Sequence, residues 1–317
     1  MRRYLTALAT AVAVVACDGN PLVTTDTTAE PTDPGTPAEP PTTTDAGIPL
    51  ELANNLRSVT YDPVAKTLSV EITGIDSTPV MVPYTRNLAA EAGLAPGYEA
   101  YTIQEDALDR LFLGVARESA DGSVRGVAVG DGGQFNRFAS GGYYERTGGF
   151  TPPAIGSGPG AGQVSYAGGY VGLDNYSGPL PPVPDPALQM QGPGRVDGDA
   201  FINANFSDMQ INGTIFNRVR LDAPALAPAL TDLMLIITDI GTDGTFIGDV
   251  EQITGVGIPI GKYGGTFGGV DAAGLAGVLK IDEWDPTREG ESETGVFVLT
   301  QCGKPGEDVT LCAGTAP

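Results

Sequence analysis

Between residues 198 and 301 the chain repeats one pattern: short runs of alternating apolar and polar side chains, each closed by a turn rich in glycine, asparagine or aspartate. Runs at 200–206, 209–219, 232–240, 245–253, 264–270, 274–281 and 295–301 have the spacing of a meandering sheet. The turns have a mechanism. Asp243-Gly244 supplies the positive φ of a tight hairpin, and Asn212-Gly213 offers either a turn or a bulge. With a further run at 163–172 the count is about eight strands, enough to close a small antiparallel barrel whose interior its own side chains fill.

Upstream, 56–61 and 67–72 alternate around Asp62-Pro63 and predict a β-hairpin. Residues 104–117 place Leu108, Leu111, Phe112 and Val115 at helical spacing, although the VRGVAVG that follows is strand-like. From 148 to 195 nine prolines and many glycines surround the single run at 163–172, which marks a boundary between two subdomains. Glycine, 45 residues in 317, is about twice its usual share of ~7%, and the expected fold class is all-β.

The runs GQVSYAGGYVG (162–172), GDAFINANFSDMQINGTI (198–215), DGTFIGDV (243–250), GGTFGGVDAAGLAGVLKI (264–281) and GVFVLTQC (295–302) are similar, in content and order, to the β-barrel module of the transferrin-binding protein B family of Gram-negative surface lipoproteins. There a glycine-rich strand opens the barrel, a strand ending in Asn-Phe or Asp-Phe leads to a Gly-Thr hairpin, and Gly-x-Phe-x-Gly precedes a late Ala-Gly-Val strand. The resemblance covers the C-terminal half of the chain. It implies a handle-like β subdomain at 49–161 beside a barrel at 162–317, acting as a non-catalytic binding module for a protein or an iron- or haem-carrying ligand. The family's receptors have two lobes, whereas this chain resembles a single lobe, and no binding residue matches one for one.

The N-terminus adds a location. Arg2 and Arg3 precede an apolar stretch, residues 5–16, that is shorter than the roughly 20 residues a membrane span needs and suits a secretory signal. Val14-Val15-Ala16-Cys17 resembles a bacterial lipobox, which implies a lipid on Cys17; the alternative is an ordinary signal cut with Cys17 incidental. Residues 18–48 are Thr, Pro and acid, a composition that cannot bury enough apolar surface to order itself and reads as a spacer. The expected place is outside the cytoplasm, tethered to the cell envelope and, by the family resemblance, to the outer membrane.

The formal charge is −22, and the part beyond Glu51 keeps 15 basic against 32 acidic residues. Phosphate polyanions would be repelled, so nucleic acid is not an expected partner. With Cys17 lipidated, Cys302 and Cys312 form an even pair, and export makes a disulfide their natural state. There is no histidine, which removes the Ser-His-Asp and Cys-His machineries and His-ligated zinc. The glycine runs at 156–162 and 255–257 have no P-loop lysine, and Pro159 and Pro259 read as loop residues. No cofactor, metal or catalytic site is expected. Two segments are candidate contacts: the Gly/Pro stretch 175–194 with Tyr176, and the acidic turn 282–293, where Asp282, Glu283 and Asp285 flank Trp284 as an aromatic anchor. The same carboxylates are what a carbohydrate-active enzyme would use; a solvated turn is the plain reading, and a purely structural surface lipoprotein is a further alternative.

Overall fold

In a computed structural model the described residues are 43–44, 46–73, 80–104, 111–132, 138–158, 160–175, 192–222, 229–284 and 290–314. The signal, Cys17 and nearly all of the spacer lie outside them. Among the described residues fifteen strands carry the fold, with three α-helices of four or five residues, Leu50–Ala53, Leu88–Glu91 and Val309–Ala313.

β1 (Leu56–Asp62), β2 (Thr67–Ile72), β3 (Val82–Arg86), β4 (Glu99–Ile103), β5 (Phe112–Glu118), β6 (Val124–Gly130) and β7 (Ser140–Arg146) form one antiparallel sheet in sequence order. β1 and β2 are the expected hairpin, with Asp62 Oδ1 accepting from Val64 and Ala65 N–H. The sheet curls until Asn55, just before β1, donates to the Ser140 carbonyl of β7. Its concave side buries Leu56, Leu68, Val70, Tyr84, Tyr101 and Val127.

The helical reading of 104–117 is corrected: Phe112–Glu118 is a strand, and 105–110 lie outside the described residues. Both faces of β5 are buried. Phe112 and Ala116 point into the curled sheet, while Leu113 and Val115 point at the barrel. A strand covered on both sides loses the polar alternation that identifies it, and its apolar run imitates a helix.

The other eight strands close a barrel. They are β8 (Gln163–Asp174), β9 (Gly194–Asn205), β10 (Gln210–Arg220), β11 (Leu233–Asp239), β12 (Thr245–Gln252), β13 (Pro259–Gly268), β14 (Gly274–Asp282) and β15 (Ser292–Gln301). All pairings are antiparallel, and β15 closes on β8. Each of the eight runs read as barrel strands from the sequence falls on one of these. Gly244 takes φ +80° in the 241–244 turn, as its Asp-Gly pair requires. Asn212-Gly213 is the bulge of its two options, since the β10–β11 register slips between Ile211 and Gly213. Pro259, read as a loop residue, opens β13, a position where its missing N–H costs no interior ladder bond.

The sheet lies across the outer wall of β8, β14 and β15. Val171, Leu173, Ala276, Val278, Val296 and Val298 from the barrel meet Leu113, Val115, Val124 and Ala128 from the sheet. Contact is so close that a Cβ on Gly142 would sit 2.7 Å from Val278 Cβ, and one on Gly126 2.6 Å from Val296 Cγ2. Tyr98 pins the junction: its hydroxyl lies 3.0 Å from the Gly169 carbonyl and 3.2 Å from that of Val296, and accepts from Val298 N–H. Burial pushes this hydroxyl up to about 12, with the Arg117 guanidinium 5.2 Å above the ring opposing the rise. β15 is therefore buried along its whole length, by barrel interior on one side and sheet on the other.

Candidate functional site

Antiparallel register sorts the barrel connections onto two ends. At one end lie Gln163, Asn205, Gln210, Asp239, Thr245, Gly268, Gly274 and Gln301. This end is sealed. Phe267 packs at ring distances of 5.1 Å on Phe206 and 5.5 Å on both Tyr166 and Phe246, with Phe150 at 6.2 Å from the preceding connection. The short turns 206–209 and 241–244, the 3-10 turn Val270–Ala272 and the Cys302–Cys312 disulfide, with a Cα separation of 5.5 Å, complete the seal. The disulfide expected from the even cysteine pair is thus present.

The other end is bounded by Asp174, Gly194, Arg220, Leu233, Gln252, Pro259, Asp282 and Ser292. It carries the long connections 175–193, 221–232 and 283–291, and the hairpin tip 253–258. The curled sheet's connections 73–81, 104–111 and 131–139 leave from one of its ends, and the longer 87–98 leaves from the other. That end meets this barrel end: a Cβ on Gly192 would lie 2.9 Å from Leu111 Cδ2, and one on Gly130 would touch both Phe138 and Leu173. The longer connections between barrel strands thus depart from one barrel end, beside described residues of 104–111 and 131–139, whereas the connections 87–98 and 147–162 leave from other ends.

Beneath this barrel end the interior is ionic. Arg218 Nη2 donates to Glu293 Oε2 at 2.5 Å, both side chains wholly buried, and Tyr170 Oη donates to Glu293 Oε1 at 2.5 Å. Burial first, and then the Glu293 charge, push the Tyr170 hydroxyl well above its ordinary range. Arg218 Nη1 reaches the Thr231 carbonyl, while Arg220 Nε holds Asp174 at 2.9 Å in a second buried pair. Arg195 forks onto Asp222 and donates Nη1 to the carbonyls of Ala90 and Ala92, tying the Leu88–Glu91 turn to the barrel wall.

The sequence gives no direct sign of this network, for a local reason. By strict alternation from Ile211 and Ile215, Val219 would face inward. Asn217, at φ +52°, is an extra residue where the β9–β10 register slips between Phe216 and Val219. The slip turns Arg218 and Arg220 inward and leaves Val219 59% exposed.

Of the residues singled out from the sequence, Cys17, Tyr176 and Asp285 lie outside the described residues. Asp282 and Glu283 are exposed at the loop-bearing end, and Lys280 is ion-paired with Asp282. Trp284 is a correction: at 8% exposure its ring belongs to the barrel core and is not available as a surface anchor. A lone Trp among acids looks like an exposed contact, but here the chain folds inward after Glu283, which adopts φ +49°. No helix among the described residues is long and apolar enough to cross a membrane.

The arrangement defines a class of architecture: a solid eight-stranded barrel with a curled seven-stranded sheet on its wall and the longer inter-strand connections of the barrel at one end. No family model and no curated protein matches the chain. Among solved structures it is similar to intact Ap-TbpB, with N and C lobes, at a TM-score of 0.39 and 12% identity over 78% of this chain and 55% of that one. It is similar at the same TM-score and identity to a double mutant of transferrin-binding protein B from Haemophilus parasuis, over 78% of this chain and 54% of that one. The chain thus spans about half the length of these structures, and a likeness at this level carries no conclusion about a ligand.

Proposed function

We propose that this chain is a lipid-anchored envelope protein that binds a macromolecular ligand through the loop-bearing face and performs no chemistry on it. The observation that carries the reading is the division of the barrel: its interior is filled with side chains from end to end, so a large ligand has no internal seat, while the longer connections between barrel strands all depart from one end. Connections carried on a rigid β scaffold are a common way to build a binding surface, because the framework pays no ordering cost on association. The resemblance of the strand motifs to the transferrin-binding protein B family favours a protein or an iron- or haem-carrying ligand.

We assign contacts to Tyr176, Asp282, Glu283 and Asp285, anchoring to a lipid on Cys17, the outer membrane as its site, and a division into subdomains at 49–161 and 162–317. The test is a pull-down from envelope and medium components with the wild type and a variant combining Tyr176→Ala, Asp282→Asn, Glu283→Gln and Asp285→Asn. A ligand captured by the wild type and lost from the folded variant supports the reading. Undiminished capture by the variant contradicts it. Membrane retention of a Cys17→Ala form would refute the anchor.

A further inference from the structure

The tip joining β12 to β13 presents three β-branched aliphatic side chains to solvent within six residues: Ile253 at 53%, Val256 at 73% and Ile258 at 65% exposure. A run of this kind in a slack loop would tend to collapse onto the barrel. Here it is held outward. Ile253 N–H donates to the Asp232 carbonyl, Gly255 N–H to Gln252 and Ile258 N–H to Gly255. Glu251, itself 7% exposed, spends its carboxylate on Gly257 N–H at 2.7 Å, and Gln252 Nε2 donates to Thr231 Oγ1. Side chains already fixed in an exposed position cost little further entropy to bury against a partner.

The charges around the tip indicate what that partner is. Among the described residues, the cations at this end are engaged: Arg195 with Asp222, Arg218 with Glu293, Arg220 with Asp174, Lys262 with Asp249 and Lys280 with Asp282. Asp232, Glu251 and Glu283 have no ion-pair partner among the described residues. The apolar tip therefore stands beside the half-buried Asp232 and the exposed Glu283, on a chain of net charge −22. Anionic lipid and a second copy of the chain are repelled, whereas a basic surface with an apolar recess is complementary in both respects.

We infer that the 253–258 hairpin is the apolar anchor of the loop-bearing face and that its partner is a basic protein surface presenting aliphatic side chains. The inference rests on the binding role proposed above and specifies the ligand for it. The probe is an amphipathic Leu/Lys peptide of about 18 residues, titrated by fluorescence anisotropy against the full chain, with a Leu/Glu peptide of the same pattern as control. The wild type is expected to bind the basic peptide at least about tenfold more tightly than the acidic one, with affinity falling as salt rises. Val256→Asp with Ile258→Asp should weaken that binding about tenfold or more, and Val256→Leu with Ile258→Leu should retain it. Since these side chains are exposed, circular dichroism should be unchanged; Val256→Thr with Ile258→Thr keeps the β-branching but adds hydroxyls and should also weaken binding. Unchanged binding by the Asp variant overturns the inference. If that result accompanies loss in the variant at Tyr176, Asp282, Glu283 and Asp285, the tip is not the anchor and the face still binds; if neither variant is affected, both readings fail. Co-flotation of the wild type but not the Asp variant with phosphatidylcholine vesicles, or dimerisation through the tip, would equally overturn a protein partner.

Discussion

The two ends of the barrel are filled by opposite means. At the sealed end Phe206, Phe246, Phe267 and Tyr166 interlock, and Tyr166 Oη donates to the Ala272 carbonyl of the turn above it at 2.6 Å. At the loop-bearing end Arg218, Glu293 and Tyr170 fill the lumen with a hydrogen-bonded ion pair. Aromatic packing tolerates short turns and needs no polar partner. A buried charge needs each hydrogen bond in place, and Arg218 Nε has no partner among the described residues. Aromatic packing specifies a cap, whereas the ionic network specifies the register of β8, β10 and β15 just where their long connections depart.

The largest effect should come from breaking the ion pair. Arg218→Met alone leaves Glu293 charged in the barrel and should cost about 3–5 kcal/mol, whereas Arg218→Met combined with Glu293→Leu should recover most of the loss. Urea titration of the three proteins measures this; equal losses in single and double variants would show that side-chain volume, not charge, matters there. At the sealed end Phe267→Ala should cost a comparable ~3–5 kcal/mol by opening a cavity, with no partial rescue available from a second polar change. The sharper contrast is functional: Phe267→Ala should leave ligand capture by folded protein intact.

Reducing the Cys302–Cys312 bridge comes next. Its sequence separation is 10, and loss of so short a loop closure should lower stability by about 2–4 kcal/mol and be felt first at the sealed end. Thermal unfolding with and without reductant gives the size, and an unchanged midpoint would mean that the seal holds without it.

A smaller, pH-dependent effect belongs to the curled sheet. Burial pushes the Glu99 carboxyl up, but hydrogen bonds from Lys66, Tyr101 and Tyr61 outweigh burial and hold it below the usual carboxylate range. A folded pKa below the unfolded one contributes stability that is present above about pH 4.3 and is lost as pH falls through the folded value. Glu99→Gln should therefore flatten the acid limb of the stability curve; an identical limb in both proteins would assign it to other carboxylates.

How much of this was legible in the sequence follows from what each strand faces. β9 alternates plainly and β12 follows an Asp-Gly turn, and the barrel strands are readable from such signals. β5 is covered on both sides, so its pattern imitates a helix. The ionic network was hidden because one extra residue, Asn217, reverses the facing of everything after it. Trp284 misleads for the reverse reason: its acidic neighbours look outward while its ring turns in. The exposed tip at 253–258 reads as the end of one strand and a glycine loop, and only the pairing of β12 with β13 shows that its aliphatic residues face solvent.

The central claim, that one end seals and the other binds, is tested most directly by hydrogen exchange on the full chain with and without the ligand recovered by pull-down. Protection should appear at 192–195, 220–222, 229–233, 252–259 and 282–284, at the loop-bearing end. Protection confined instead to 206–209, 241–244, 269–273 and 302–312 would contradict the account.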